Sequence, residues 1–251
     1  MLTLVLTQLM AVEMRRLPAV EAHQGAAASA TSVYAVDNSR VARYDRATGR
    51  RMAAWHGDPV RFPHLNSCAP RGADLICAGS NYPALPMRSY VVRLDVRTLA
   101  FRDVRDLPDA PGSLTWLAWH AGHWWAGFAH YDGKGGAPGH DHCDTVVVRY
   151  ASRWRERGRW RFPDAVLARF APRSTSGGAW GKDGLLYVTG HDRPELYALH
   201  VPVRPGSMEL AGTIATPTGG QAFGLSGDRL WTIDRQRVEL VESSLPTLRQ
   251  P

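Results

Sequence analysis

Lysine is nearly missing from this chain of 251 residues: Lys134 and Lys182 are the only two among 30 basic residues, so arginine carries the formal net charge of +7. Such a bias reflects codon composition more readily than a polyanion-binding surface, and nucleic acid is not expected as a partner. The Arg-Trp interleaving at residues 153–161 (RWRERGRWR) reads as two antiparallel outer strands with their turn. Long apolar runs are also missing. Residues 1–11 (MLTLVLTQLMA) hold a short one, without a basic start and too short to span a membrane as a helix. Residues 1–10 are therefore read either as a signal-like segment or as a ragged apolar start packed on the body, and the chain as cytoplasmic or exported. No membrane span is expected.

Cysteine is scarce as well. Three of them cannot complete a disulfide framework. Cys68 and Cys77 flank a tight turn at residues 71–74 and would lie opposite each other, close enough for a cross-strand disulfide. Two small buried hydrophobes in neighbouring strands are the preferred reading. Glycine and proline are plentiful, at 24 and 17 residues, but scattered at turns and never run together. That pattern excludes a disordered chain and describes one turn-rich domain over residues 11–251.

What the sequence does contain is a repeat. Five stretches of small or polar residues lead into a strand: AHQGAAA from Ala22, PHLNSCA from Pro63, GSLTWLA from Gly112, STSGGAW from Ser174 and GGQAFGL from Gly219. Each is followed by a short turn and a second strand, and in most repeats by a third and fourth. Successive units begin 41 to 62 residues apart. Four antiparallel strands per unit at this period predict an all-β, five-bladed β-propeller, with a six-bladed ring as the alternative. The fifth unit has three strands before the chain ends, and residues 11–17 (AVEMRRL) are expected to supply its fourth, closing the ring and removing open edges.

In such a blade the first-to-second and third-to-fourth turns share one face. They are uniformly tight in this sequence. The other face receives residues 81–88, 131–144 and 163–173, the last expected as a short helix, and connections of this length are where function concentrates. Aligning the repeats brings His23, His64, His130 and His191 to that face. Imidazoles there can bind a divalent metal ion or transfer protons near neutral pH. His191 and His130 are the catalytic candidates. His23, His64 and His191 form a candidate triad for one divalent ion. Gln24, Asn66, Asn81, Tyr82, Tyr131, Ser176, Asp192 and Gln221 are candidates for holding substrate. Tyr82 and Tyr131, with Trp124 and Trp125, could supply a stacking wall, although at least one of the two tryptophans is expected between blades. A polar mouth that only holds water remains a third reading. Residues 139–144 (GHDHCD) crowd potential ligand atoms into consecutive positions and are read as a solvated loop.

The run at residues 177–199, GGAWGKDGLLYVTGHDRPELYAL, resembles the blade pattern of lactonase-like and gluconolactonase-like propellers. With AHQG at Ala22, HLNS at His64, SNYP at Ser80 and TGHD at Thr189, the chain is similar to a group of bacterial propellers often labelled cycloisomerases. That resemblance implies a propeller and carbonyl or lactone chemistry. It would also imply calcium held by a Glu, two Asn and an Asp, of which Asn66, Asn81 and Asp192 are the available matches, with Glu21 as the remaining carboxylate. The expectation is a monomer with a His-rich pocket that hydrolyses or isomerises a small ligand such as a lactone or sugar acid. A non-catalytic module binding carbohydrate or peptide is the alternative. In the enzymatic reading, His191 or His130 is the general base, and His23 and His64 polarise a carbonyl.

Overall fold

The computed structural model describes residues 9–248. The apolar run expected as a signal-like or ragged start lies mostly outside them. Strand β1 (Leu9–Met10) and strand β2 (Val12–Pro18) come first. Blade 1 follows as β3 (Gly25–Ala28), β4 (Ser32–Asp37), β5 (Arg40–Asp45) and β6 (Arg51–His56). Blade 2 is β7 (His64–Arg71), β8 (Asp74–Ser80), β9 (Ser89–Asp95) and β10 (Phe101–Leu107). Blade 3 is β11 (Ser113–His120), β12 (His123–Ala129), β13 (Val146–Tyr150) and β14 (Glu156–Arg161). Helix α1 (Asp164–Phe170) leads into blade 4: β15 (Gly177–Trp180), β16 (Leu186–Thr189), β17 (Glu195–His200) and β18 (Glu209–Ala215). The last three strands are β19 (Gly224–Ser226), β20 (Arg229–Asp234) and β21 (Glu239–Ser244).

These strands sort into five antiparallel sheets, four strands to a blade, so the ring has five blades and the six-bladed alternative falls away. Blade 5 is completed by β2, paired with β21 from Val12 opposite Ser244 to Pro18 opposite Glu239. Arg15 reinforces the closure by reaching Glu242 at 2.9 Å, and Arg16 by reaching Asp234 at 2.8 Å and Glu239 at 3.1 Å. Beyond the expected body, β1 adds to blade 4 as a parallel strand, Leu9 opposite Ile214.

The core is five separate interfaces, one between each pair of neighbouring blades, because each sheet is apolar on both faces and must cover them. The best-defined anchor is Trp116 on β11, fully buried between blades 3 and 4. Two glycines make room for its indole: a Cβ on Gly127 would lie 2.1 Å from its Nε1, and one on Gly178 would lie 2.5 Å from its Cδ2. The Nε1–H donates to Thr175 Oγ1 at 2.9 Å. The glycine-rich start of the fourth repeat is thus a seat for a neighbour's tryptophan. Trp124 and Trp125 are both buried, the former against Trp119 and Trp154 and the latter against Trp160 and Trp180, so neither belongs to a ligand wall.

The preferred reading of Cys68 and Cys77 as free thiols is corrected. They are direct cross-strand partners on β7 and β8, with Cα atoms 3.9 Å apart, and form a disulfide. Cys143 is the free, exposed cysteine. No helix among the described residues is long and apolar enough to cross a membrane.

Candidate functional site

The long connections and the ends of the second strands meet at one mouth of the ring, around two abutting cavities. One, of about 370 Å³, is lined by Gln24, His64, Asn66, Tyr82, Thr115, Tyr131, Lys134, Arg173, Ser174, Ser176, His191, Gln221 and Arg235. The other, of about 530 Å³, runs from His191 and Asp192 along residues 217–221 to Asp234 and Arg235. His191, Gln221 and Arg235 line both, so His191 stands at their junction.

His64 starts β7, and its Nδ1 lies 2.7 Å from Asn38 Oδ1. The same oxygen accepts from Gln24 Nε2 at 3.1 Å, while Asn38 Nδ2 faces the Asp37 carboxylate at 3.3 Å. That network orients the amide and puts the imidazole proton on Nδ1, leaving the Nε2 lone pair uncommitted. Burial pushes the His64 imidazolium down to about 4, and the charges of His191 and Arg235 push the same way against Asn66 and Asp37. At neutral pH His64 is therefore a neutral acceptor. Polarising a carbonyl needs an N–H aimed at it, and the Asn38 contact has taken the one proton His64 has.

His191 is arranged differently. Its Nδ1 sits 2.5 Å from Asp192 Oδ1, and its backbone carbonyl accepts from Gln221 Nε2 at 3.1 Å. A carboxylate on Nδ1 fixes the tautomer with the lone pair on Nε2. Nε2 has no hydrogen-bond partner among the described residues.

The other expected residues divide. Gln24, Asn66, Tyr82, Tyr131, Ser176 and Gln221 line the smaller cavity, and Asp192 the larger. The Tyr82 ring packs 5.2 Å from His64 and 4.9 Å from Tyr131, and its hydroxyl accepts from Arg173 Nη1 at 3.2 Å. Burial raises the Tyr131 phenol further above its ordinary range, so it stays neutral. Asn81 lines neither cavity: its Nδ2 donates to Pro86 O at 2.9 Å and its Oδ1 accepts from Arg88 N at 2.7 Å, holding its own loop together.

His130 does not share a cavity with His64 and His191. It lines a separate apolar hollow of about 440 Å³ with Leu85, Pro111 and His140, and its Nε2 lies 2.6 Å from Pro111 O. The reason is register. Ala129 ends β12 opposite Ser113, as Thr189 ends β16 opposite Gly177, so Tyr131 is the counterpart of His191 and His130 that of Gly190. A slip of one residue sends a side chain to the other side. His23 lines neither mouth cavity, its Nδ1 lying 3.9 Å from Asp37 Oδ2. Glu21 is buried within blade 1, accepting from Tyr44 Oη at 2.7 Å and pairing with Arg51. It is therefore not placed to join Asn66 and Asp192.

In the loop read as solvated, the ligand atoms of Asp141, His142 and Cys143 do gather within 4.8 Å of one another. Its imidazoles are already paired, His142 Nδ1 with Asp132 earlier in the same connection and His140 Nδ1 with Asp144, both at 2.9 Å.

The repeat alignment brings Asn38 and Arg235 to this face without giving them a role, and it does not single out Lys134 or Arg173. Lys134 lies in the connection from β12 to β13 and Arg173 just beyond α1. The helix buries Val166, Leu167 and Phe170, and Arg169 forks onto Glu195, which fixes where residue 173 emerges. The available signal was the length of these insertions on one face.

No family model matches the chain, and no curated protein matches it. Among solved structures it is similar to a luciferin-regenerating enzyme at 11% identity and a TM-score of 0.49, covering 96% of this chain and 93% of that one. It is similar to a chain of a mitotic checkpoint complex at 12% identity and 0.48, covering 98% and 96%. A gluconolactonase from Xanthomonas campestris follows at 15% identity and 0.48, covering 86% of this chain and 69% of that one.

Proposed function

We propose that the chain is an enzyme acting by acid–base chemistry on a small oxygenated compound of the lactone or sugar-acid kind, bound at the mouth of the ring. The observation that carries this reading is the His191–Asp192 pair at the junction of two cavities. His191 Nε2 takes a proton from the attacking water in hydrolysis, or from the substrate in isomerisation, while Asp192 holds the charge that develops on the imidazole. In ring opening the hydroxyl adds to the carbonyl carbon, the ring C–O bond breaks, and His191 returns the proton to the departing oxygen. His64, neutral and unprotonated at Nε2, accepts a hydrogen bond from a substrate hydroxyl. Gln24, Asn66 and Ser176 orient the rest of the molecule.

A divalent ion on His23, His64 and His191 fits this geometry poorly. His23 stands outside both cavities, the wall around His64 holds Lys134, Arg173 and Arg235, and no Asp or Glu lines that cavity. The chemistry proposed here runs on the side chains alone.

The test is a pH-stat assay of aldonolactone hydrolysis, with NMR detection of hydroxy-acid isomerisation, on wild type, His191→Gln and Asp192→Asn. Turnover should fall about 100-fold or more in the first variant, the usual contribution of a positioned proton-transfer group. Ligand binding without turnover in wild type would instead assign a carbohydrate-binding module.

A further inference from the structure

The smaller cavity is unusual for its charge. Lys134, one of only two lysines in the chain, lines it with Arg173 and Arg235, and no carboxylate does. They arrive from separate parts of the fold: Lys134 from the connection between β12 and β13, Arg173 from the segment after α1, and Arg235 from the turn between β20 and β21. Blades 3 and 5 are not neighbours in the ring, so positive charge approaches the cavity from both sides of the axis.

Some of the propeller's arginines are neutralised by carboxylates elsewhere. Arg15, Arg16, Arg40, Arg51, Arg93, Arg102, Arg159 and Arg169 all pair with carboxylates. Lys134, Arg173 and Arg235 form no ion pair among the described residues. Lys134 and Arg235 are exposed, so solvent screens part of their repulsion, but three cations converging on one concavity without a carboxylate in its wall favour a bound anion. Arg173 is also oriented in advance, because its Nη1 donates to Tyr82 Oη at 3.2 Å. A guanidinium fixed in this way presents its remaining donors to an oxyanion at little further entropic cost.

We infer that the ligand of this cavity carries an oxyanion, a carboxylate or phosphate on a small hydroxylated skeleton, held by Lys134, Arg173 and Arg235. This rests on the cavity being the site proposed above and narrows its ligand class. The volume of about 370 Å³ is at the lower end of small-molecule sites and suits a skeleton of sugar size. The anionic group is bound by the cations, and the hydroxyls by the neutral amides and hydroxyls of the same wall. Charge on both sides of the axis adds that a diacid binds more tightly than the matching monoacid.

Isothermal titration calorimetry with four probes tests this: D-glucarate, D-gluconate, D-glucose 6-phosphate and the neutral D-glucitol. Wild type, Arg173→Met, Arg235→Met and Lys134→Met are compared, with thermal melts to confirm that each is folded. Glucarate should bind more tightly than gluconate, and glucitol about tenfold or more weaker than either, since charged hydrogen bonds are at stake. Each cation variant should weaken acid binding by about tenfold, and added salt should weaken it in wild type. Glucose 6-phosphate binding more tightly than both acids would assign the oxyanion to phosphate. Equal affinity for glucitol, no binding of any probe, or acid binding unchanged in all three variants overturns the inference. Equal affinity for glucitol would leave the acid–base reading of His191 intact, because that is scored by turnover and not by affinity.

Discussion

Lowering the pH should destabilise the protein through His64, and the size of the effect follows from where the ring sits. Its folded-state imidazolium is pushed down to about 4 from an ordinary value of 6.5, chiefly by burial. Between those two values the unfolded chain takes up a proton on this residue and the folded chain refuses it. Stability contributed by His64 is therefore complete above pH 6.5, falls as the pH drops toward 4, and falls no further below it. The full shift corresponds to no more than about 3 kcal/mol, and partial solvent access reduces it. The assay is urea unfolding at several values between pH 7.5 and 4 for wild type and His64→Gln. Taking the difference removes the titrations the two proteins share; His191, Arg235 and Asp37 are the charged or titrating groups that act on His64. Wild type should lose stability relative to His64→Gln steadily as the pH falls across the window. A flat difference, or an imidazole 15N titration placing His64 at 6 or above, would show that burial does not hold this ring neutral.

Other expectations concern the scaffold. Trp116→Ala should cost about 3–5 kcal/mol in chemical denaturation, as removal of a fully buried indole does. Gly178→Ala should also destabilise, and its cost should shrink in a Trp116→Leu background, because the added Cβ collides with that ring. Deleting residues 1–18 removes the strand that closes blade 5 and bares the edge of β21; the shortened chain should self-associate in size-exclusion chromatography while the full chain does not. Cys68→Ser with Cys77→Ser opens a crosslink spanning nine positions and should lower unfolding free energy by about 2–3 kcal/mol on loop-closure grounds, whereas reducing agent should leave the double variant unaffected.

Much of this molecule is written locally. Turn residues and alternating strands repeat at a regular interval, so five blades, their tight turns and the closing strand before Ala22 could be read without coordinates. The face that gathers all three long connections could be read too. Side-chain direction could not. The repeat pattern puts His130 level with His191, but strand pairing makes Tyr131 the counterpart, and one residue of register decides which cavity a ring enters. Lys134 and Arg173 lie in irregular segments, where no periodicity tells which side chain folds back over the channel. Asn81 looked free to bind a ligand, yet its amide is consumed by Pro86 and Arg88 of its own loop. The Cys68–Cys77 bond turned on a register that was inferred correctly, but register alone does not say whether opposed thiols oxidise.

His64 and His191, rather than His130, face the ligand in the site proposed above. Imidazole 15N and 13C resonances recorded during a titration with D-glucarate decide it. His64 and His191 should shift together and saturably, while His130, donating to Pro111 O in its own hollow, should stay in place. A saturable shift of His130 with His64 and His191 unmoved would contradict the account.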